Sequence, residues 1–184
     1  MPGVSMKPWL LMMNLPLLAL LLWAAITDLR FRRIPNWLTL ALMASGLIQG
    51  LSGYGLLSVG QSAAGMGVGF ALPLPLFLLG AIGGGDVKLL AGVGAWVGPQ
   101  AVLVVFAATA ILGGIIILLQ SLWLGRARIL LRNTGVLIVN LLNVRRLGVA
   151  HVQATGQTYR TVQQTLPYAV PIWIATVMKL CQVI

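Results

Sequence analysis

The sequence predicts an all-α integral membrane protein, about six transmembrane segments packed as one bundle and forming a single polytopic domain over residues 1–184. Three observations carry this. The chain is 59% hydrophobic and 8% charged, whereas a soluble domain is about a quarter charged and needs that polar material to coat itself in water. Several apolar runs approach the roughly 20 residues that cross a bilayer. The 12 Lys and Arg residues, which bring the net charge to +10, sit between apolar runs. There they orient a membrane protein and meet anionic lipid headgroups, so the charge does not point to nucleic acid.

The first span is expected from Trp9 to Ile26, with Pro16 as a tolerated kink. Lys7 before an apolar run raises the question of a secretory signal. The run is about 18 residues long, beyond a usual signal core, and a membrane span is the better reading. The polar stretch TDLRFRRIPN at 27–36 follows. Asn36 can cap the next helix, with Pro35 fixing the backbone before it. That helix should run to about Leu51, and the uncharged turn SGYG at 52–55 ends it.

A long third segment is expected from Leu56 to about Ile82, kinked at Pro73 and Pro75. After GGGD comes a short fourth helix, from Asp86 to about Val97. Its roughly 12 residues rise about 18 Å, too little to cross a 30 Å hydrocarbon core. The fifth segment, about 100–124, is long enough. The stretch 125–165 holds six arginines and reads as a cytoplasmic or interfacial amphipathic piece. The last segment runs from about Leu166 to Ile184.

Lys and Arg favour the cytoplasmic side of a membrane. Placing loop 27–36 inside puts ten of the twelve basic residues inside, leaving Lys7 and Lys179 outside. Both termini are then expected in the periplasm. Small residues recur four apart at Gly46 and Gly50, Gly65 and Gly69, Gly80 and Gly84, and Gly94 and Gly98. That spacing lines one helix face and reads as close helix packing in lipid. The single Cys181 excludes an intrachain disulfide and a cysteine-based zinc cluster. His151, the only histidine, reads as a loop residue.

The acids are the chemical signal. The chain contains two, Asp28 and Asp86, and no glutamate. Asp28 falls where the first span ends and Asp86 where the third ends, so alternating topology puts both at the cytoplasmic face. An ionisable group kept in such surroundings is a functional candidate by default. Taken singly, Asp86 could be a helix cap, and Asp28 a loop residue paired with Arg30 or Arg32. Jointly, two close carboxylates share one proton, and such a pair activates water for peptide hydrolysis without metal or cofactor. Gly83, Gly84 and Gly85 would let a substrate backbone approach and let Asp86 move into register with Asp28. Lys88 reads as a membrane anchor that could also tune the pair electrostatically.

At these residues the chain resembles the type IV prepilin peptidases, membrane aspartic proteases with a GxGD motif. Gly83-Gly84-Gly85-Asp86 fits GxGD, and Val87-Lys88-Leu89-Leu90 fits the family's continuation. Asp28 followed by Ile34-Pro35-Asn36 looks like the family's first aspartate with its downstream IPN. Leu166-Pro167-Tyr168 resembles an LPYG element, with Ala169 in place of the glycine. The likeness covers about residues 10–120 well and 125–165 poorly. It is closest to the short branch that serves Flp-type, tight-adherence pili. It implies Asp28 and Asp86 as catalytic residues, with Lys88, Pro35 and Asn36 in support. It implies cleavage of a basic leader from a membrane-embedded prepilin at the cytoplasmic face of a bacterial inner membrane. Methyl transfer, which belongs to the longer branch with its cysteine-bearing domain, is not expected.

Two other classes remain open on sequence alone. A small transporter or channel could use the aspartates for ion or proton coupling, although such sites lie near the bilayer midplane rather than at one interface. A non-catalytic pilus-assembly scaffold would not need the carboxylates at all.

Overall fold

The computed structural model describes residues 13–52, 57–78, 82–123 and 167–181. The arginine-rich stretch 125–165, His151, Lys7, Gly80 and the outer ends of the first and last segments lie outside the described residues. Among the described residues every regular element is helical: α1 (Leu15–Phe31), α2 (Asn36–Leu51), α3 (Val59–Ala71), α4 (Leu74–Leu78), α5 (Gly84–Trp123) and α6 (Ala169–Leu180). Two stretches, Val59–Leu78 and Gly84–Trp123, are long and apolar enough to cross a membrane, and Ala169–Leu180 is a shorter apolar helix.

Helix α1 continues past the expected end at Ile26. Nothing in Thr27–Phe31 breaks a helix, and the Thr27 hydroxyl bonds back to the carbonyls of Trp23 and Ala24. Termination comes at Arg32, which turns left-handed (φ 54°) and donates its N–H to the Asp28 carbonyl at 2.9 Å. Asp28 therefore stands on the helix rather than in a loop. Pro16 lies in the first turn of α1, where a missing N–H costs no intrahelical bond, and is not a mid-span kink. Pro35, not Asn36, takes the cap position of α2, and no side chain caps that helix. Helix α3 starts with a reciprocal capping box between Ser58 and Gln61. The chain then turns at Leu72-Pro73 before α4, so the proline pair interrupts the third segment as expected.

Helix α5 is the central post. It breaks at Gly98, whose φ of 83° and ψ of 173° belong to a region essentially reserved for glycine. The arm from 84 to 97 answers to the short helix expected from Asp86 but starts two residues earlier, within GGGD, and is about 21 Å long by its rise per residue. Every residue from Leu89 to Trp96 is buried, the mark of a helix packed on all sides. Backbones touch where glycines face each other: a Cβ on Gly65 of α3 would overlap the Gly94 carbonyl oxygen, and one on Gly94 the Gly65 carbonyl oxygen. A Cβ on Gly69 would overlap the carbonyl of Leu90. On the α2 side, Gly46 lies against Ala95 and Trp96, and Gly92 lies against Leu42. The Trp96 indole N–H bridges to the Leu42 carbonyl (3.1 Å) and the Ser45 hydroxyl (3.2 Å). Helix α6 packs between α1 and α5, contributing Ala169, Ile172 and Ala175 to the core.

Candidate active site

The carboxylate of Asp28 leaves the last turn of α1 and is buried, at 7% exposure. Its Oδ2 accepts the backbone N–H of Ala169, the first residue of α6, at 3.2 Å. That N–H is one of the four that a helix start leaves without an intrahelical partner, and it also carries the positive end of the helix dipole. Arg32, one turn on, lies within electrostatic reach of the same carboxylate.

Asp86 is half-buried in the first turn of α5. Its Oδ2 accepts the N–H of Gly83 at 3.1 Å, while the Gly83 carbonyl accepts from the N–H groups of Asp86 and Val87. This is one half of a capping box, the third helical residue reaching back to the residue before the helix. Each aspartate thus holds a helix start, Asp86 that of its own helix and Asp28 that of α6.

Asp28, at the end of α1, and Asp86, at the start of α5, lie at the same end of the described core, within electrostatic reach of each other. The charge of Asp28 acts on Asp86, and that of Asp86 acts on Tyr168, the residue preceding Ala169. Three chain segments therefore converge: the end of α1, the start of α5 and the start of α6. The Tyr168 ring extends from there over Gly113 of α5, within 3.3 Å of where a Cβ would stand.

The three glycines differ. A Cβ on Gly84 would meet the Phe77 ring at 3.3 Å, and one on Gly85 would meet Ile34 at 3.3 Å. Gly83 is exposed, and its nearest neighbour is the Asp86 carboxylate. Lys88 is exposed and turns away from Asp86, since residues two apart on a helix do not face each other. Its ammonium donates to Asn36 Oδ1 at 3.0 Å. Asn36, expected to cap α2, is instead the acceptor for a lysine 52 residues away. Pro35 stands between Ile34 and Asn36 with an extended ψ of 134°, which sets the direction in which α2 departs.

Two participants carry no chemical signal in the sequence. Ala169 contributes only a backbone N–H, and it and Tyr168 are marked only by the LPYG-like element of the resemblance, with no role attached to either. Pro167 is the available hint, because Pro167-Tyr168 leads into α6, whose first N–H groups are free to bond whatever packs beneath.

Comparison with known proteins supplies the family of the chain. A family model described as "Type IV leader peptidase family" matches residues 15–118. A "Prepilin leader peptidase/N-methyltransferase" of Aeromonas hydrophila is 34% identical over 125 residues, 62% of this chain and 40% of that protein. A protein of the same description from Pectobacterium carotovorum subsp. carotovorum is 37% identical over 121 residues, 59% of this chain and 40% of its own length. The matches thus span well under half of each curated relative. No solved structure matches the chain significantly.

Proposed function

From the membership of this chain in the type IV leader peptidase family, we propose that it is a membrane aspartic endopeptidase that removes the basic leader peptide from a type IV, Flp-like prepilin at the cytoplasmic face of a bacterial inner membrane. One observation carries the reading: the two acids of the chain, 58 positions apart, are within electrostatic reach of each other.

Two carboxylates that close share a proton. The ionised member takes a proton from water, and the water oxygen adds to the scissile carbonyl carbon. The protonated member gives its proton to the carbonyl oxygen. Collapse of the tetrahedral intermediate breaks the C–N bond, and the departing amine takes a proton from the pair. No covalent intermediate forms, and the titration belongs to the pair rather than to either residue. Gly83, exposed beside Asp86, supports close approach of a substrate backbone. Gly84 and Gly85 are also filled from within the chain by Phe77 and Ile34.

The outer surface supports a lipid setting. Leu40, Ile48, Ile111 and Trp123 stand between 62% and 97% exposed, an apolar coat that water would penalise. In this reading the helices belong to a bundle of about six spans, with both termini periplasmic. Exposed Arg30 and Arg33 beside the site would meet anionic headgroups. The test is co-expression with a Flp-type prepilin, comparing the wild-type chain with Asp28→Asn and Asp86→Asn. Leader removal by the wild type alone is the expected result. Normal cleavage by either variant at equal membrane abundance would sink the dyad.

A further inference from the structure

We infer that the segment Ile34–Asn36 is a positioning clamp that sets the spacing of the two aspartates by gripping the first turn of α5 on both sides of Asp86. The inference rests on the leader-peptidase reading and adds to it a mechanical role for three residues. Ile34 packs on Gly85, the residue before Asp86, in the space a Cβ there would contest. Asn36 holds Lys88, two residues after Asp86, through a 3.0 Å hydrogen bond. Asp86 is thus bracketed by two contacts, one from the loop after α1 and one from the first residue of α2.

That loop is the direct continuation of α1. Arg32 ends the helix by bonding to the Asp28 carbonyl, and only Arg33 separates it from Ile34. The clamp therefore joins the backbone that carries Asp28 to the turn that carries Asp86. The hydrogen bond is suited to that task. The ammonium of Lys88 is matched to a neutral amide rather than a carboxylate, so it fixes position without adding a negative charge beside the pair. Lys88 and Asn36 are positioning residues here, acting through the Asp86 backbone, and neither is assigned contact with substrate.

The experiment has a structural arm and a kinetic arm, both on the full chain. For the first, Ile34→Cys and Gly85→Cys are combined with Cys181→Ser, which leaves no other thiol. The Cβ atoms of the pair would lie 3.3 Å apart, close to the roughly 3.5–4.5 Å of a disulfide. Oxidation in membranes should remove both thiols from labelling by a polyethylene-glycol maleimide after denaturation. A control pair, Ile34→Cys with Gly114→Cys, should keep both thiols. Free thiols in the Ile34/Gly85 pair after oxidation would overturn the clamp whatever the enzyme does.

For the second arm, Lys88→Met, Asn36→Leu and their combination are assayed on a purified prepilin. Each single variant should lower kcat about tenfold with little change in KM, since small misplacements of reacting groups cost rate. The double variant should be no worse than either, as expected of partners in one interaction, and Lys88→Arg should recover most of the rate. Additive losses, or losses in KM alone, would overturn the positioning role. If Asp28→Asn cleaves as the wild type does, the protease reading falls and the positioning role falls with it. The cross-link then still reports whether the contact exists.

Discussion

Asp28 has exchanged water for one backbone N–H and the charge of a nearby arginine. Asp86 has exchanged it for the N–H of Gly83. Among the described residues each carboxylate accepts one N–H bond, which leaves acceptor positions for the water and proton transfers of the proposed reaction. Removing either ionisable group while keeping its shape tests this directly: Asp28→Asn and Asp86→Asn should each lower leader cleavage by at least about a hundredfold, measured at matched membrane abundance. The pair also predicts a pH profile. At low pH both carboxyls are protonated and no base remains; at high pH both are ionised and no acid remains. Therefore kcat/KM for cleavage should rise and then fall with pH, and a profile with a single limb would contradict a shared proton. Counting acids in the sequence was enough to find both residues. It could not find Ala169, which acts through a backbone N–H 141 positions from its partner. Asn36 was misjudged for a related reason: local capping preference names the nearest free N–H groups, whereas a distant lysine won its side chain.

The helix holding Asp86 is fixed by glycines that remove side chains from its contacts. At Gly65 and Gly94 the obstruction to a Cβ is backbone, which cannot rotate away. Gly65→Ala or Gly94→Ala should therefore destabilise by about 1–3 kcal/mol, as overpacking does. Gly67→Ala and Gly114→Ala, with nothing within 4 Å, should be neutral or stabilising by up to about 1 kcal/mol through helix propensity. Thermal unfolding in detergent separates the two sets, and equal effects would mean the close packing of α3 on α5 is not what holds the arm. Gly98→Ala should cost about 1–3 kcal/mol for a different reason, its glycine-only dihedrals. The four-residue glycine spacing made these helix faces legible in sequence, since small residues on one face have few other uses in lipid. Helix ends were less legible. The charged run after Ile26 looked like a loop, yet Asp28 to Phe31 stay helical because charge alone does not break a helix and the first true stop is Arg32.

For the whole molecule, orientation decides whether the chemistry faces the right compartment. The aspartates, Arg30, Arg32, Arg33 and Lys88 gather at the end of the core where α1 stops and α5 starts. Lys179 lies in the last turn of α6, whose first residue is held on Asp28, so it stands at the far end of that helix. In the proposed orientation the site end of α6 faces the cytoplasm, and Cys181, about 18 Å away by the rise of its 12 residues, points towards the periplasmic side. Cys181 is the chain's one thiol and is partly exposed, so it reports orientation without engineering. A membrane-impermeant maleimide added to intact spheroplasts should label Cys181, and Cys181→Ser should abolish the signal. In the Cys181→Ser background, Arg33→Cys should resist the reagent until the membrane is permeabilised. Labelling of position 33 from outside, with protection of Cys181, would reverse the topology. The dyad would then face the periplasm, away from a prepilin whose basic leader is retained in the cytoplasm by the same charge rule that orients this chain.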